Sequence, residues 1–384
     1  MKTALKALHF HNILDACKSF WRSETVFCIA ALAALLTACR IHPSLNYVKY
    51  VNFGVLEMLF CLMAAAVGWQ KIGIFSNIAI FLNHNIKKRL WTSYLLTAAC
   101  FVSALLITND VALIIFVPFT IKVLGTERQR ELILTVVMET VASNLGSMLA
   151  PIGNPQNLFI FSFYKMDAGD FMSFMLPWWI VSFVLISLTY LAASFVFAKG
   201  TETEAEEAYL NIPAGGLLLY SAIFILCLLA IAKIISAECC FILTLLCLLF
   251  KDRSALKRID YVLLLTFVCF FVFVGNLSAM ADVRGLISKI LQGHELLVGA
   301  LTSQIISNVP AAVMLSNFTS QSKDLLLGVN LGGLGTLVGS LASLISFKLY
   351  SKSQNARTGA YLLIFSLINF VFLIVLLSAA EFMY

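Results

Sequence analysis

Two short polar interruptions inside long apolar stretches carry the chemistry of this sequence. Thr108, Asn109 and Asp110 break a stretch at about 91–124, and Ser307, Asn308, Val309 and Pro310 break another at about 296–320. In hydrocarbon each unpaired backbone polar group costs several kcal/mol, so non-helical backbone persists only against protein or a watery cavity. A turn at either place gathers carbonyls and side-chain oxygens at one point. Pro310 suits the first turn of a following helix, where its missing N–H is not needed, and Pro118 lies in the second arm of the first stretch.

Two further segments complement these tips. Pro151-Ile152-Gly153-Asn154-Pro155-Gln156-Asn157 cannot run as unbroken helix, because each proline removes a bond and collides with the preceding turn. Gly332, Gly333, Gly335 and Gly339 weaken a second helix in the same way. Carbonyls freed at a break can ligate a hard cation, and the helix N-terminus beyond it offers N–H groups to an anion. Three acids fall at membrane depth, where such residues are expensive and usually functional: Glu57, Asp110 and Glu139. Asp110, at a tip beside Asn109, can bind a cation, carry a proton or cap the following helix. Glu139, one turn before Ser143 and Asn144, is a second candidate for proton coupling, and Glu57 lies in a span expected to be scaffold.

The broken segments are related. Residues 143–164 align without a gap to 329–350, with seven identities in 22 positions. These are Asn144/Asn330, Leu145/Leu331, Gly146/Gly332, Gly153/Gly339, Leu158/Leu344, Phe161/Phe347 and Tyr164/Tyr350. Upstream, Thr108-Asn109-Asp110 corresponds to Ser307-Asn308-Val309, and Asn52-Phe53-Gly54-Val55-Leu56 resembles Asp260-Tyr261-Val262-Leu263-Leu264. Each half holds four crossings and a hairpin, and one extra span between them inverts the second half. Inverted repeats place a solute site near the bilayer midplane and permit alternating access.

The elements that position these residues are membrane spans. Of 384 residues 61% are hydrophobic and 12% charged, about half the charged share of soluble domains, and the mean hydropathy is +0.94. The fold class expected is an all-α polytopic membrane protein of two inverted repeats, with about nine transmembrane helices and two re-entrant hairpins. Residues 1–24 read as a cytoplasmic amphipathic segment rather than a signal peptide. Residues 25–198 form the first repeat, with hairpin 91–124 and broken helix 130–163. Residues 199–235 are an acidic cytoplasmic linker and connecting span, and 236–384 the inverted second repeat, with hairpin 296–320 and broken helix 324–349. Lys and Arg then gather on one side, which places the N-terminus in the cytoplasm of a cell whose inner membrane holds the chain. The net charge of +6 is no nucleic-acid signal, because the basic residues sit between spans. The ten cysteines show no metal-ligand spacing and read as buried thiols. No nucleophile–base set is visible, so an enzyme is not expected.

The stretches 108–119, 144–157, 307–314 and 330–343 resemble the ion transporter superfamily, across both halves of the chain. That superfamily includes arsenite permeases, divalent anion–sodium symporters, citrate–metal symporters and one class of sodium–proton antiporters. The resemblance implies a homodimer in which hairpins and broken helices slide against a scaffold, an elevator. It implies sodium ions as coupling ions and no other cofactor. Carried over by position, one cation site would use Thr108, Asn109 and Gly153, and the other Ser303, Ser307, Asn308 and Gly339. The solute would meet Asn109, Asp110, Asn154, Pro155, Asn157, Asn308, Val309, Ser340 and Ser343. Asp110 and Val309 stand where the dicarboxylate symporters have threonine. A charged Asp110 would repel a bound carboxylate by several kcal/mol unless protonated or neutralised. The Asn-Asp tip is closer to the arsenite-permease style, yet no cysteine sits at a tip or break. The expected function is secondary transport of a small anionic solute across the bilayer, coupled to sodium or protons. The rivals are a sodium–proton antiporter using Asp110 and Glu139, a metalloid efflux permease, and a non-transporting membrane scaffold or receptor.

Overall fold

The computed structural model describes residues 24–74, 77, 80, 89–125, 129–196 and 211–383. The expected amphipathic N-terminus and the acidic stretch of the linker therefore lie outside the described residues. The described residues form eighteen α-helices and one 3-10 turn, with no strand among them. Among the described residues, seven helices are long and apolar enough to cross a membrane. The chain is a polytopic, all-helical membrane protein.

The first half comprises α1 (Thr25–Ala38), α2 (Asn46–Tyr50), α3 (Phe53–Lys71), α4 (Arg89–Ile107), α5 (Asn109–Leu124), α6 (Gln129–Gly146), α7 (Pro155–Phe163) and α8 (Ala168–Val196). The second comprises α9 (Ala214–Ile231), α10 (Ala237–Lys251), α11 (Arg253–Leu256), α12 (Tyr261–Ala279), α13 (Ala281–Leu291), α14 (Glu295–Ile306), α15 (Asn308–Ser316), α16 (Ser322–Leu331), α17 (Leu341–Ser351) and α18 (Thr358–Met383). Short α2 and α13 were not among the expected elements. Only Leu291 of α13 is buried, and its polar residues follow one face, the pattern of an interfacial rather than a spanning helix.

The two interrupted stretches fold as helix pairs, α4–α5 and α14–α15, each turning at a single residue. The long helix 130–163 is broken into α6 and α7, and 324–349 into α16 and α17. In the register of the self-match the second pieces begin at equivalent residues, Pro155 and Leu341. The caps of α3 and α12 match as well. Asn52 Oδ1 accepts from the Val55 N–H at 3.2 Å, and Asp260 Oδ1 from the Leu263 N–H at 2.9 Å. Such a side-chain acceptor satisfies one of the donors that a helix start leaves unpaired.

Burial sorts the helices into layers. α6 is buried along nearly its whole length, whereas α8, α9 and α18 bury less than a third of their most apolar turns. An outer helix that is apolar all round has hydrocarbon as its solvent. The second arm of each helix pair packs across the halves, α5 against α17 and α15 against α7. A separate group forms where α3 packs against α9 and α10. Gly68 admits this contact, since a Cβ there would lie 1.9 Å from the Tyr220 ring. At the end of α3, Lys71 Nζ bonds Asp252 Oδ2 at 2.5 Å and Ser254 Oγ at 2.7 Å, and the Tyr220 hydroxyl donates to the same carboxylate.

Partial burial alone would raise the Asp252 carboxyl. The bonds from Lys71, Tyr220 and Ser254 and the Lys71 charge instead hold it well below the usual carboxylate range. A carboxyl depressed by folding adds stability above its unfolded value, about 3.9, and loses it as the pH falls through the folded value. Lys71 and Asp252 are 31% and 17% exposed, so water screens the pair. Asp252→Asn is expected to cost about 1 kcal/mol near neutral pH, read as a lower melting temperature of the purified protein. The gap from the parent should close as the pH drops below about 4. A gap of constant size across that range would show that the carboxylate charge is not what holds α3 to α9 and α11.

Candidate functional site

Thr108 and Ser307, the turning residues of the two helix pairs, share one unusual backbone conformation. Their φ and ψ are 73° and 152° for Thr108 and 76° and 153° for Ser307. That region belongs almost entirely to glycine, and a residue with a Cβ occupies it at a cost of about 1–3 kcal/mol. The strain turns the chain in one residue and starts α5 and α15 at Asn109 and Asn308, which are 4% and 2% exposed.

The breaks reach these tips through side-chain amides. Asn144, in the last turn of α6, accepts on Oδ1 from Asn109 Nδ2 at 3.2 Å and from Ser340 Oγ at 2.9 Å. Its own Nδ2 donates to the Gly333 carbonyl at 3.4 Å. The equivalent residue, Asn330 on α16, accepts on Oδ1 from Asn154 Nδ2 at 3.1 Å and donates to Asn157 Oδ1 at 2.7 Å. Asn154 and Ser340 are the N-caps of α7 and α17, and they occupy matching positions in the self-match. Each broken helix thus places its last asparagine on the N-cap of the other broken helix. The second tip joins through the Asn308 N–H, which bonds the Gly339 carbonyl at 3.0 Å. A Cβ on Gly333 would lie 2.9 Å from Asn308 Nδ2 and 3.8 Å from Asn144 Cγ.

The consequence is electrostatic. The N-termini of α5, α7, α15 and α17 meet around the crossed asparagines inside the protein. Each carries the positive end of its dipole, although at α15 the Asn308, Val309 and Ala311 N–H groups are all bonded within the protein and Pro310 has none. The acid among them is Asp110, in the first turn of α5, and its buried Oδ1 has no hydrogen-bond partner. Asn109 Oδ1, Gln156 Oε1 and Ser343 Oγ are likewise buried without partners. Ser343 belongs to α17, the helix packed on α5. In native proteins such orphaned oxygens are few and ask for a ligand, a proton or a water.

Of the residues singled out from sequence, Thr108, Asn109, Asp110, Gly153, Asn154, Pro155, Asn157, Ser307, Asn308, Val309, Gly339 and Ser340 line the tips and breaks. Pro155 opens α7 at a position where its missing donor costs nothing. Ser303 lies one turn before the second tip and donates to the Gly299 carbonyl at 2.7 Å. Glu139 is elsewhere. It is wholly buried, Thr120 donates to its Oε1, its Oε2 has no partner, and its peptide carbonyl accepts from Cys100 Sγ at 3.6 Å. Thr120 is roughly 15 Å along α5 from the tip, at 1.5 Å per residue. Asn144, Asn330, Ser147 and Gln304 were not in the sequence-derived site. The first two were legible as identities of the self-match, whereas no pattern marked Ser147 or Gln304.

Asn330→Ala would leave Asn157 Oδ1 and one Asn154 donor unpaired in the interior. It is expected to cost about 2–4 kcal/mol in thermal unfolding. Asn317→Ala, at an exposed position whose bond to the Val313 carbonyl is 3.5 Å long, should stay within about 0.5 kcal/mol. Equal losses in the two variants would deny the crossed amides their structural role.

Comparison with known proteins bears on the family of the chain. Residues 19–323 match the model of a family described as citrate transporter. An uncharacterized transporter of Methanocaldococcus jannaschii is 35% identical over 283 residues, 72% of this chain and 75% of the relative. The inner membrane protein YbiR of Escherichia coli is 30% identical over 267 residues, 67% of this chain and 68% of the relative. The human P protein is 29% identical over 141 residues, which are 35% of this chain and 16% of that protein. Matched by the family model over most of its length, and by a transporter over nearly three quarters of both chains, this protein belongs to the citrate transporter family.

Proposed function

We propose that the chain is a secondary active transporter in which a small anionic solute binds at the meeting point of the four helix N-termini. Convergence of those N-termini carries the reading, since helix dipole ends favour negative charge. No lysine or arginine belongs to the tips or breaks. The anion is held by helix dipoles without a basic residue, which suits a solute that must also be released.

Asp110 supplies the coupling. A second negative charge a few ångströms from a carboxylate, in low dielectric, is repelled by several kcal/mol. The anion therefore binds together with whatever neutralises Asp110, a proton or a cation, and each raises the affinity for the other. Co-binding of anion and positive charge is symport. Glu139, bonded to Thr120 rather than to a tip residue, is not needed for this linkage. The antiporter reading, which requires both acids as carriers, has less to support it. Metalloid capture by thiolates lacks a cysteine at the tips and breaks.

Alternating access fits the packing. The two helix pairs and the broken helices interlock through α5–α17 and α15–α7, while α3, α9 and α10 pack on one another. In this reading the first set carries the solute past the second, in an inverted-repeat elevator assembled as a homodimer, with the N-terminus cytoplasmic and both helix pairs re-entrant.

Proteoliposome uptake of radiolabelled citrate, succinate and sulfate tests the proposal. With the solute that is taken up, Asp110→Asn is expected to lower gradient-driven accumulation at least tenfold while exchange of internal for external solute survives. Undiminished accumulation by Asp110→Asn would remove Asp110 from coupling.

A further inference from the structure

The family resemblance places a cation at each helix break, and at both breaks side-chain amides already hold the freed carbonyls. At the second break the Gly332, Leu334 and Thr336 carbonyl oxygens converge on Gly339, where a Cβ would lie 2.8, 3.0 and 3.2 Å from them. Such a cluster of carbonyls is what a hard cation would take as ligands. The side chain of Gln304, on α14 one turn before the tip, has entered it. Gln304 Nε2 donates to the Gly332 carbonyl at 2.8 Å and the Leu334 carbonyl at 2.9 Å, with Ala300 O at 3.2 Å. Its Oε1 accepts from the Thr336 N–H at 2.8 Å, and its own carbonyl accepts from Thr336 Oγ1 at 3.2 Å. The backbone is shaped to admit the amide: Gly335 has φ +93°, and a Cβ there would lie 2.4 Å from Gln304 Oε1.

The first break is closed by a different residue with the same chemistry. Asn157 Nδ2 reaches the Met148 and Ala150 carbonyls at 3.1 Å each and Ser147 O at 3.4 Å. A primary amide has two N–H donors of partial positive charge. Turned toward freed carbonyls, it meets the need that a bound cation would otherwise meet, without any net charge and without a binding equilibrium. Two oxygens of the second cation set also accept hydrogen bonds from the tip. Gly339 O accepts from the Asn308 N–H, and Asn308 Oδ1 accepts from the Val309 N–H at 2.9 Å.

We infer that Asn157 and Gln304 are built-in cation surrogates: their side-chain amides hold the two helix breaks, neither break binds sodium, and the coupling charge belongs to the Asp110 tip alone. This rests on the anion-transport reading above and narrows it to one coupling charge per protomer. Gln304 is thereby a specificity determinant for the coupling ion rather than a packing residue.

Binding of radioactive sodium to the purified protein tests the inference, alongside melting temperatures in sodium chloride and in choline chloride of equal ionic strength. The parent protein is expected to bind at most one sodium per chain, and Asp110→Asn none, with equal melting temperatures in the two salts. In the Asp110→Asn background, Gln304→Glu exchanges the amide donors for a carboxylate facing the same carbonyls. It should create a sodium-specific rise in melting temperature of several degrees. Two or more sodium ions on the parent chain would overturn the inference, a measurement that needs no variant to fold. So would a sodium-specific rise that persists in Asp110→Asn. Failure of the coupling proposal would appear instead as undiminished uptake by Asp110→Asn, a separate readout.

Discussion

Hydrogen bonding of backbone that has left the helix inside an apolar body is the constraint on which this structure depends. Two helices are interrupted in largely buried surroundings, and each interruption frees carbonyls and N–H groups that need partners. The protein meets that need with amides from elsewhere in the fold. Asn144 reaches the cap of α17 and Asn330 the cap of α7, while Asn157 and Gln304 turn to the freed carbonyls. Remove these bonds and the breaks would have to refold as helix or fill with water, and the tips would lose their support.

From that arrangement the electrostatics follow without a basic residue. Four helix starts brought together make a region of positive potential fixed in place by the backbone, so in the proposed mechanism little reorganises when an anion binds. Against it stands the carboxyl of Asp110, with an unpartnered oxygen in the first turn of α5. A helix start already favours negative charge in its first turn, so Asp110 and an incoming anion compete for the same potential. In the proposed mechanism that competition makes the acid a coupling group rather than an ordinary cap. Strain at Thr108 and Ser307 belongs to the same design, since a one-residue turn is what lets two helix starts approach a break from the other side.

The halves match in backbone and differ in side chains. Caps, breaks and turning residues coincide in register, and Thr108 and Ser307 agree within 3° in φ. Yet Asp110 is opposed by Val309, and the amide at the first break comes from α7 whereas that at the second comes from α14. Symmetric backbone supplies the crossing of the asparagines, and asymmetric side chains place the titratable group on one side only. A cluster of three cysteines' worth of thiol, Cys61, Cys227 and Cys240 on α3, α9 and α10, lies buried in the other packing group and takes no part in this site.

Much of this was written in local chemistry. Apolar runs with few charges, prolines at Pro151 and Pro155, glycines at Gly332 to Gly339 and the paired Asn144/Asn330 determine spans, breaks and repeat, because each acts through its own backbone or its immediate neighbours. Asn109 and Asp110 were recognisable because polar residues in an apolar run have to be explained. The partners were not recognisable. Nothing local says that Asn154 bonds Asn330, that Glu139 faces Thr120 rather than the tips, or that Gln304 closes a break distant in sequence. Those pairings depend on how helices cross, and a side-chain amide signals donors and acceptors without saying which carbonyl it will meet. The sequence alone determined where the backbone must break; only tertiary packing decided what would satisfy the break, because hydrogen-bond partners are chosen by proximity in space.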